Sequence, residues 1–82
     1  MNRPETIEFK EIPTAAAIMG HTGRIPNVLH NDGADLVTFE FKRDMEIDAI
    51  VMALATGKLM VNASQYEKAR SYLYRKAREV KR

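Results

Sequence analysis

The chain has 82 residues, a length that suffices for one small domain and leaves no room for a second. Its composition, 45% apolar and 29% charged residues without a cysteine, is globular and excludes a disordered polymer, disulfides, thiolate zinc sites and thiol nucleophiles. The net charge of +2 conceals an asymmetry, because residues 1–61 carry −3 and residues 62–82 carry +5. The basic charge therefore belongs to the C-terminal part of the chain.

No stretch of the sequence approaches the roughly 20 apolar residues that a membrane-spanning helix needs. The first residues also lack the apolar segment of a secretory signal. We therefore expect a soluble protein of the cytoplasm that has no membrane partner.

The N-terminal part of the chain predicts a strand followed by a short helix. Residues 6–12 alternate between apolar and polar side chains, a period of two that is typical of a half-buried strand. Pro13 then opens an alanine-rich run at 15–19, which Gly20 and Gly23 close. Proline in the first turn and glycine after the last turn are helix start and stop signals.

Residues 25–30 and 36–42 are two strand-like runs that bracket an Asn-Asp-Gly turn at 31–33. Asp-Gly between apolar runs predicts a β-hairpin, because both residues tolerate a positive φ. Pro26 cannot donate to a ladder, so the first strand is expected to be an edge strand or to begin after it. The second strand is expected to point Val37, Phe39 and Phe41 to one side and Thr38, Glu40 and Lys42 to the other.

The next helix is predicted over 45–56, with Asp44 as its N-cap and Gly57 at its end. It is apolar nearly all round, which is typical of a helix buried on two sides. One side is expected to pack on the hairpin, and the last helix either covers the other side or leaves it exposed as an interface. The core stripe contains Ile47, Ile50, Val51 and Leu54, and the other side contains Met45, Ala49 and Met52.

Asn62 followed by Gln65 resembles a capping box and predicts a final helix of about 20 residues. Its apolar stripe contains Tyr66, Ala69, Leu73, Ala77 and Val80, and its opposite face carries Lys68, Ser71, Arg75, Arg78 and Arg82, with Tyr72 and Tyr74 at the borders. Glu79 can pair with Arg75 and Arg82, which fits a solvated helix. The order strand, helix, hairpin, helix, helix predicts a small α+β single domain over 1–82, with 1–5 frayed and the core within 6–80.

The motifs of these elements resemble those of an uncharacterised family of short phage and prophage proteins. They are an alanine-rich helix near Gly20-His21, the F-x-F strand at 39–41, a helix ending at Gly57, the V-x-A step at 61–63 and A-R-x-x-L at 69–73. The resemblance covers 13–80 and implies this fold and a phage setting, hence the cytoplasm of the host cell, without an activity. The chain departs from the family pattern at Met52, Ala53 and Ala55, where charged or aromatic residues are usual.

The sequence contains no constellation typical of catalysis or of metal binding. His21 and His30 are the only histidines, and no further residues have the spacing of metal ligands. Glu46 and Asp48 project about 160° apart on a helix, so they cannot act as a general acid–base pair. No serine or threonine has a recognisable base beside it. We therefore expect no enzyme, no metal and no cofactor.

The segment His21-Thr22-Gly23-Arg24 allows two interpretations. A glycine-flanked loop with Thr, His and Arg can present N–H groups and a guanidinium to a phosphate. Alternatively, the segment is a helix C-cap turn in which a glycine supplies the positive φ. His21 and Arg24 are therefore candidate anion-binding residues.

The basic face of the last helix is the strongest functional feature of the sequence. Such a face can follow a phosphate backbone, with tyrosines available for stacking on bases. The alternative is a solvated helix whose Lys and Arg serve helix formation or protein contact. The candidate nucleic-acid-binding residues on this helix are Lys68, Tyr72, Arg75, Arg78 and Arg82.

These features favour a non-enzymatic binding module of the phage type that binds nucleic acid. It is expected to be a homo-oligomer through Met45, Ala49 and Met52, because a second copy would bury apolar surface that a small core leaves exposed. One alternative is a phage anti-defence protein that inhibits a host protein or sequesters a nucleotide signal. Another is an accessory component of the virion.

Overall fold

The described residues form a three-stranded antiparallel sheet and three helices. The computed structural model describes residues 5–30 and 36–81. The elements are β1 (Thr6–Phe9), α1 (Ile12–Thr22), β2 (Asn27–His30), β3 (Val37–Lys42), α2 (Met45–Ala55) and α3 (Ala63–Val80). This confirms the predicted α+β class and the predicted order of elements. The predicted turn at 31–33 and residues 1–4 of the segment predicted to fray, 1–5, lie outside the described residues. Glu5 is described, and its carbonyl accepts the Arg43 N–H at 2.7 Å.

The sheet has the order β1-β3-β2, so β3 is the central strand and pairs with an antiparallel neighbour on each side. The edge position predicted for β2 is confirmed, and β2 begins at Asn27, directly after Pro26. Phe39 lies opposite both Phe9 and Val28, which places three apolar side chains on one face of the sheet. The Phe9 and Phe41 rings meet edge to face on this side, with centroids 6.0 Å apart.

Both faces of β3 are covered at its centre. Phe39 and Phe41 are buried on one side, and Thr38, on the other side, is only 3% exposed. Alternation predicts the side to which Thr38 points, and its burial follows because β3 is flanked by a strand on both sides. A short side chain on a central strand is shielded by its neighbours, here by its cross-strand partner Leu29 among others.

Helix α1 is longer than predicted and ends at the second of the two glycines. Gly23 adopts a left-handed φ of 76° and donates its N–H to the Met19 carbonyl at 2.8 Å, which confirms it as the helix stop. The prediction that Gly20 also closes the helix was wrong, because Gly20 lies inside α1. A Cβ at Gly20 would stand 3.3 Å from the backbone nitrogen of Tyr66. The absence of a side chain at Gly20 therefore allows α3 to pack close to α1.

The core forms where α1 and α3 pack together on the phenylalanine face of the sheet. Helix α1 contributes small side chains, and α3 contributes the apolar stripe predicted for it, which is buried at its centre. The contact between α1 and α3 is the most extensive one between any two elements. The core cluster comprises Ala15, Ala16, Ile18, Phe39, Phe41, Ile47, Ile50, Ala69 and Leu73.

Helix α2 has the predicted cap and lies beside α1. The Asp44 carboxylate accepts the Ile47 N–H at 2.9 Å, and the chain leaves the helix through Gly57 at a φ of 73°. The sequence left open whether the second side of α2 is covered, and the structure leaves that side exposed. Helix α2 lies closest to α1, and its buried residues Ile47 and Ile50 join the core cluster that contains Phe39 and Phe41. Since α1 and α3 already cover the sheet, α2 is left at the flank of the core.

Candidate nucleic-acid interface

The fold of α3 sorts its residues onto two faces. Asn62 starts the helix, because its side-chain oxygen accepts the Gln65 N–H at 3.1 Å as predicted. The stripe centred on Leu73 then faces the core, so the cations on the other side of the helix face outward. We call Lys68, Arg75 and Arg78, all exposed, the basic face. The fourth predicted member, Arg82, lies outside the described residues.

The described carboxylates leave the cations of the basic face without a partner. Glu79, a possible partner of Arg75, has its carboxylate 3.3 Å from the Lys76 ammonium instead. Within the part of the chain that the structure describes, Lys68, Arg75 and Arg78 have no ion pair. Their charges therefore add along one side of α3 and attract an anion.

Both tyrosines at the borders of this face lie against a cation. The Lys76 ammonium is 5.6 Å from the centroid of the Tyr72 ring, and the Arg70 guanidinium is 4.9 Å from that of Tyr74. Such contacts orient the rings and keep cations close to them. Tyr72 is half-buried, and it is therefore held more firmly than the exposed Tyr74.

A groove runs beside the basic face, between α3 and the C-terminal end of α1. Its volume is about 360 Å³. Two cations of the basic face, Lys68 and Arg75, belong to its wall, and Tyr72 lies between them along α3. Met19 and Ile25 form the apolar part of the wall. We call this cavity the α1–α3 groove.

Arg24, unlike the cations of the basic face, is engaged by carboxylates. Its guanidinium lies 2.7 Å from carboxylate oxygens of both Asp44 and Glu46, at the start of α2. The hydrogen bond from Arg24, aided by the Ile47 N–H, lowers the pKa of Asp44 below its usual value, and the same contact raises the pKa of Arg24. Arg24 therefore joins the start of β2 to the cap of α2, and its charge is already compensated.

The remaining residues of the predicted loop form a helix C-cap turn. The Thr22 hydroxyl donates to the Ile18 carbonyl at 2.8 Å and accepts the Arg24 N–H at 3.1 Å. The Nδ1 atom of His21 lies 3.3 Å from the Met60 carbonyl oxygen. These contacts favour the C-cap interpretation over the anion-binding loop.

The outer side of α2 is apolar and open to solvent. Met45 is 87% exposed and Met52 is 66% exposed, and Ala49 lies exposed between them. Of the two alternatives left open by the sequence, α3 covering this side or leaving it exposed, the structure has the second. We call these three residues the methionine face.

The residues at 5–30 and 36–81 form no metal-binding cluster. No three histidine or carboxylate side chains among them are close enough to hold a metal ion. Glu46 and Asp48 engage different arginines, since Asp48 lies 3.0 Å from the Arg43 guanidinium. Nor does any described helix have the length and apolar character needed to cross a membrane.

Comparisons with protein-family models, with curated proteins and with solved structures yield no match to this chain. The resemblance to short phage proteins, and with it the host-cell location, stays a prediction. The functional argument therefore rests on the residues of the site.

Sequence patterns missed the grooves, because their walls come from segments that are distant along the chain. Ile25 and Met19 meet Lys68 only after α1 and α3 have packed. A second groove of about 240 Å³ lies nearer the C-terminal end of α3, and Lys10, Phe39 and Arg78 are among the residues that line it. One sequence signal pointed to the α1–α3 groove: Ile25 is an apolar residue that follows the end of α1 at Gly23.

Proposed function

We propose that this protein is a non-enzymatic module that binds nucleic acid through the basic face of α3. The observation that carries the proposal is the exposure of Lys68, Arg75 and Arg78 on one side of a helix, unpaired within the described part of the chain. A phosphate backbone supplies the regular negative charge that such a row of cations attracts, and its released counterions favour binding.

The charge layout of the rest of the molecule supports a localised interface. The arginines near α2, Arg24 and Arg43, are both held by carboxylates of the same protein. The net charge of +2 understates the attraction at α3, because three exposed cations share one face of this helix, whereas other exposed lysines, such as Lys42 and Lys58, lie on separate segments.

The proposal is tested by neutralising the basic face. The variant Lys68→Gln, Arg75→Gln, Arg78→Gln should lose retention of a labelled DNA oligonucleotide at low salt, measured by fluorescence anisotropy. The slope of log Kd against log salt concentration should fall by roughly 2 to 3, because each phosphate contact contributes about 0.9 or less. The circular-dichroism spectrum should not change, since the three side chains are exposed.

A matched control removes the same amount of charge elsewhere. Lys42 and Lys58 are exposed cations outside α3 that line neither groove, and changing both to Gln removes the same charge as the double variant Lys68→Gln, Arg75→Gln. The control should retain most of the binding. Equal losses in these two double variants, or binding that survives in the triple variant of the basic face, would contradict the proposal.

Sequestration of a nucleotide is the second candidate, and the α1–α3 groove favours it. A cavity of about 360 Å³ is within the usual size range of sites for small molecules. Native mass spectrometry of the protein as purified at low salt tests this candidate. A discrete extra mass of a few hundred daltons supports it, and a protein that carries no ligand and binds no added mononucleotide contradicts it.

We also propose that a second copy of the chain covers the methionine face. Ala49 is small and lies between Met45 and Met52, so two such helices crossing about a two-fold axis can place each methionine beside the partner's alanine. The face itself contains no charged residue that would oppose self-association. Sedimentation or native mass spectrometry gives the oligomeric state directly.

A further inference from the structure

The α1–α3 groove and the basic face share two residues. Lys68 and Arg75 are members of the basic face, and they also line the groove. They are seven positions apart in α3, which separates them by roughly 10 Å along the helix axis. A ligand held by both cations must therefore pass along the mouth of the groove.

Between these two cations the groove offers apolar and aromatic surface. Tyr72 lies between them, and Ile25, which is 64% exposed, stands on the opposite wall with Met19. An exposed isoleucine next to two unpaired cations suits a ligand that combines an apolar planar ring with phosphate. The Gln65 amide at the wall can both donate and accept hydrogen bonds, as the edge of a nucleobase does.

We propose that the groove receives one unstacked nucleobase of a single strand while Lys68 and Arg75 hold phosphates on either side of it. This inference rests on the proposed binding of nucleic acid through the basic face. The groove is too small for a duplex, and paired bases are not available to it, because they are stacked inside the double helix. The base contact therefore distinguishes a single strand from an equally charged partner that lacks bases.

The experiment compares two probes that carry the same phosphates. One is a labelled oligothymidylate of about 12 nucleotides, within the usual site size of single-strand binders, and the other is an abasic strand of equal length. The protein should bind the oligothymidylate about tenfold more tightly, the gain typical of a base stacked on an aromatic ring. Free thymidine monophosphate is added as a competitor in a separate titration.

Two variants and a control locate the base contact. Tyr72→Leu removes the aromatic ring, and Ile25→Ser removes the opposite wall at an exposed position where folding is not at risk. Each should bring the affinity for oligothymidylate close to that for the abasic strand. Met60→Ser is the control, because Met60 is exposed and lies outside the groove.

The outcomes separate this inference from the proposed function. Equal affinity for the two strands, or a preference that survives both variants, would overturn the base pocket and leave phosphate binding in place. Failure to bind either strand at low salt would overturn the proposed function as well. If thymidine monophosphate displaces the labelled strand as effectively as the unlabelled strand does, the ligand of the groove is a free nucleotide and not a strand. That result would overturn this inference.

Discussion

Helices α2 and α3 both pack through one apolar stripe and leave the opposite side open, but they expose different chemistry. The open side of α2 is uncharged, and the carboxylates at its N-terminal end are held by Arg24 and Arg43. The open side of α3 carries cations without ion pairs among the described residues. The number of charges in a helix therefore does not by itself indicate how strongly the helix attracts a ligand, because charges that are already paired contribute little.

The two helices also differ in how deeply they enter the core. Helix α3 lies on both α1 and the sheet, whereas α2 mainly contacts α1. Leu73 in α3 is fully buried, while Leu54 in α2 is only partly buried against the core cluster. The free energy of unfolding should therefore depend more on α3 than on α2.

The largest expected effect comes from a pair of identical substitutions in the two helices. Leu73→Ala should lower the free energy of unfolding by about 2–5 kcal/mol, because it opens a cavity in a fully buried site. Leu54→Ala should cost about 1–2 kcal/mol, since part of its side chain is in water in the native state. Urea denaturation measures both, and equal losses would show that the two helices contribute alike.

The contact between α1 and α3 is tested by adding a single methyl group. Gly20→Ala should destabilise the protein by about 1 kcal/mol, because the new Cβ would stand 3.3 Å from backbone atoms of Tyr66 and from the Val61 side chain. Alanine is otherwise the better helix former by about 1 kcal/mol. A rise in thermal stability on this change would therefore show that the two helices can move apart at no cost.

A smaller effect is expected from the ion pairs at the start of α2, and it depends on pH. Because the folded state lowers the pKa of Asp44, the pair stabilises the protein above the usual pKa of about 3.8 and ceases to do so as the pH falls through the lowered value. Arg24→Gln should thus lower the Tm at neutral pH, and the difference from the wild type should shrink in acid. A difference that persists unchanged at pH 2, well below the usual pKa, would assign the loss to packing of the Arg24 side chain.

The smallest effect on stability, and a large one on association, is expected on the methionine face. Met52→Glu should leave the unfolding free energy of the monomer within about 0.5 kcal/mol of the wild type, since Met52 is exposed. The same change should dissociate the proposed oligomer, because it places a carboxylate at the contact. Met60→Glu, on another exposed methionine, should leave the mass in solution unchanged. An oligomer that survives Met52→Glu would exclude this face as its interface.

The local features of the fold could be predicted because short-range chemistry decides them. Asp44 and Asn62 cap their helices, Gly23 ends α1, and β2 begins directly after Pro26, as these residue types indicate. The basic side of α3 followed from a period of 3.6 in the sequence. Gly20 shows the limit of this reasoning, since a glycine that ends a helix and one that admits a neighbouring helix look the same in sequence.

Residue types and their spacing were enough to predict the α+β class, the order of elements and the outward position of Lys68, Arg75 and Arg78. Three other features became visible only in the folded chain: the position of α2 at the flank of the core, the ion pair of Arg24, and the groove that Ile25 shares with α3. The two groups of features differ because capping and amphipathic periodicity act within a few residues, whereas ion pairs and cavities depend on which distant segments pack together.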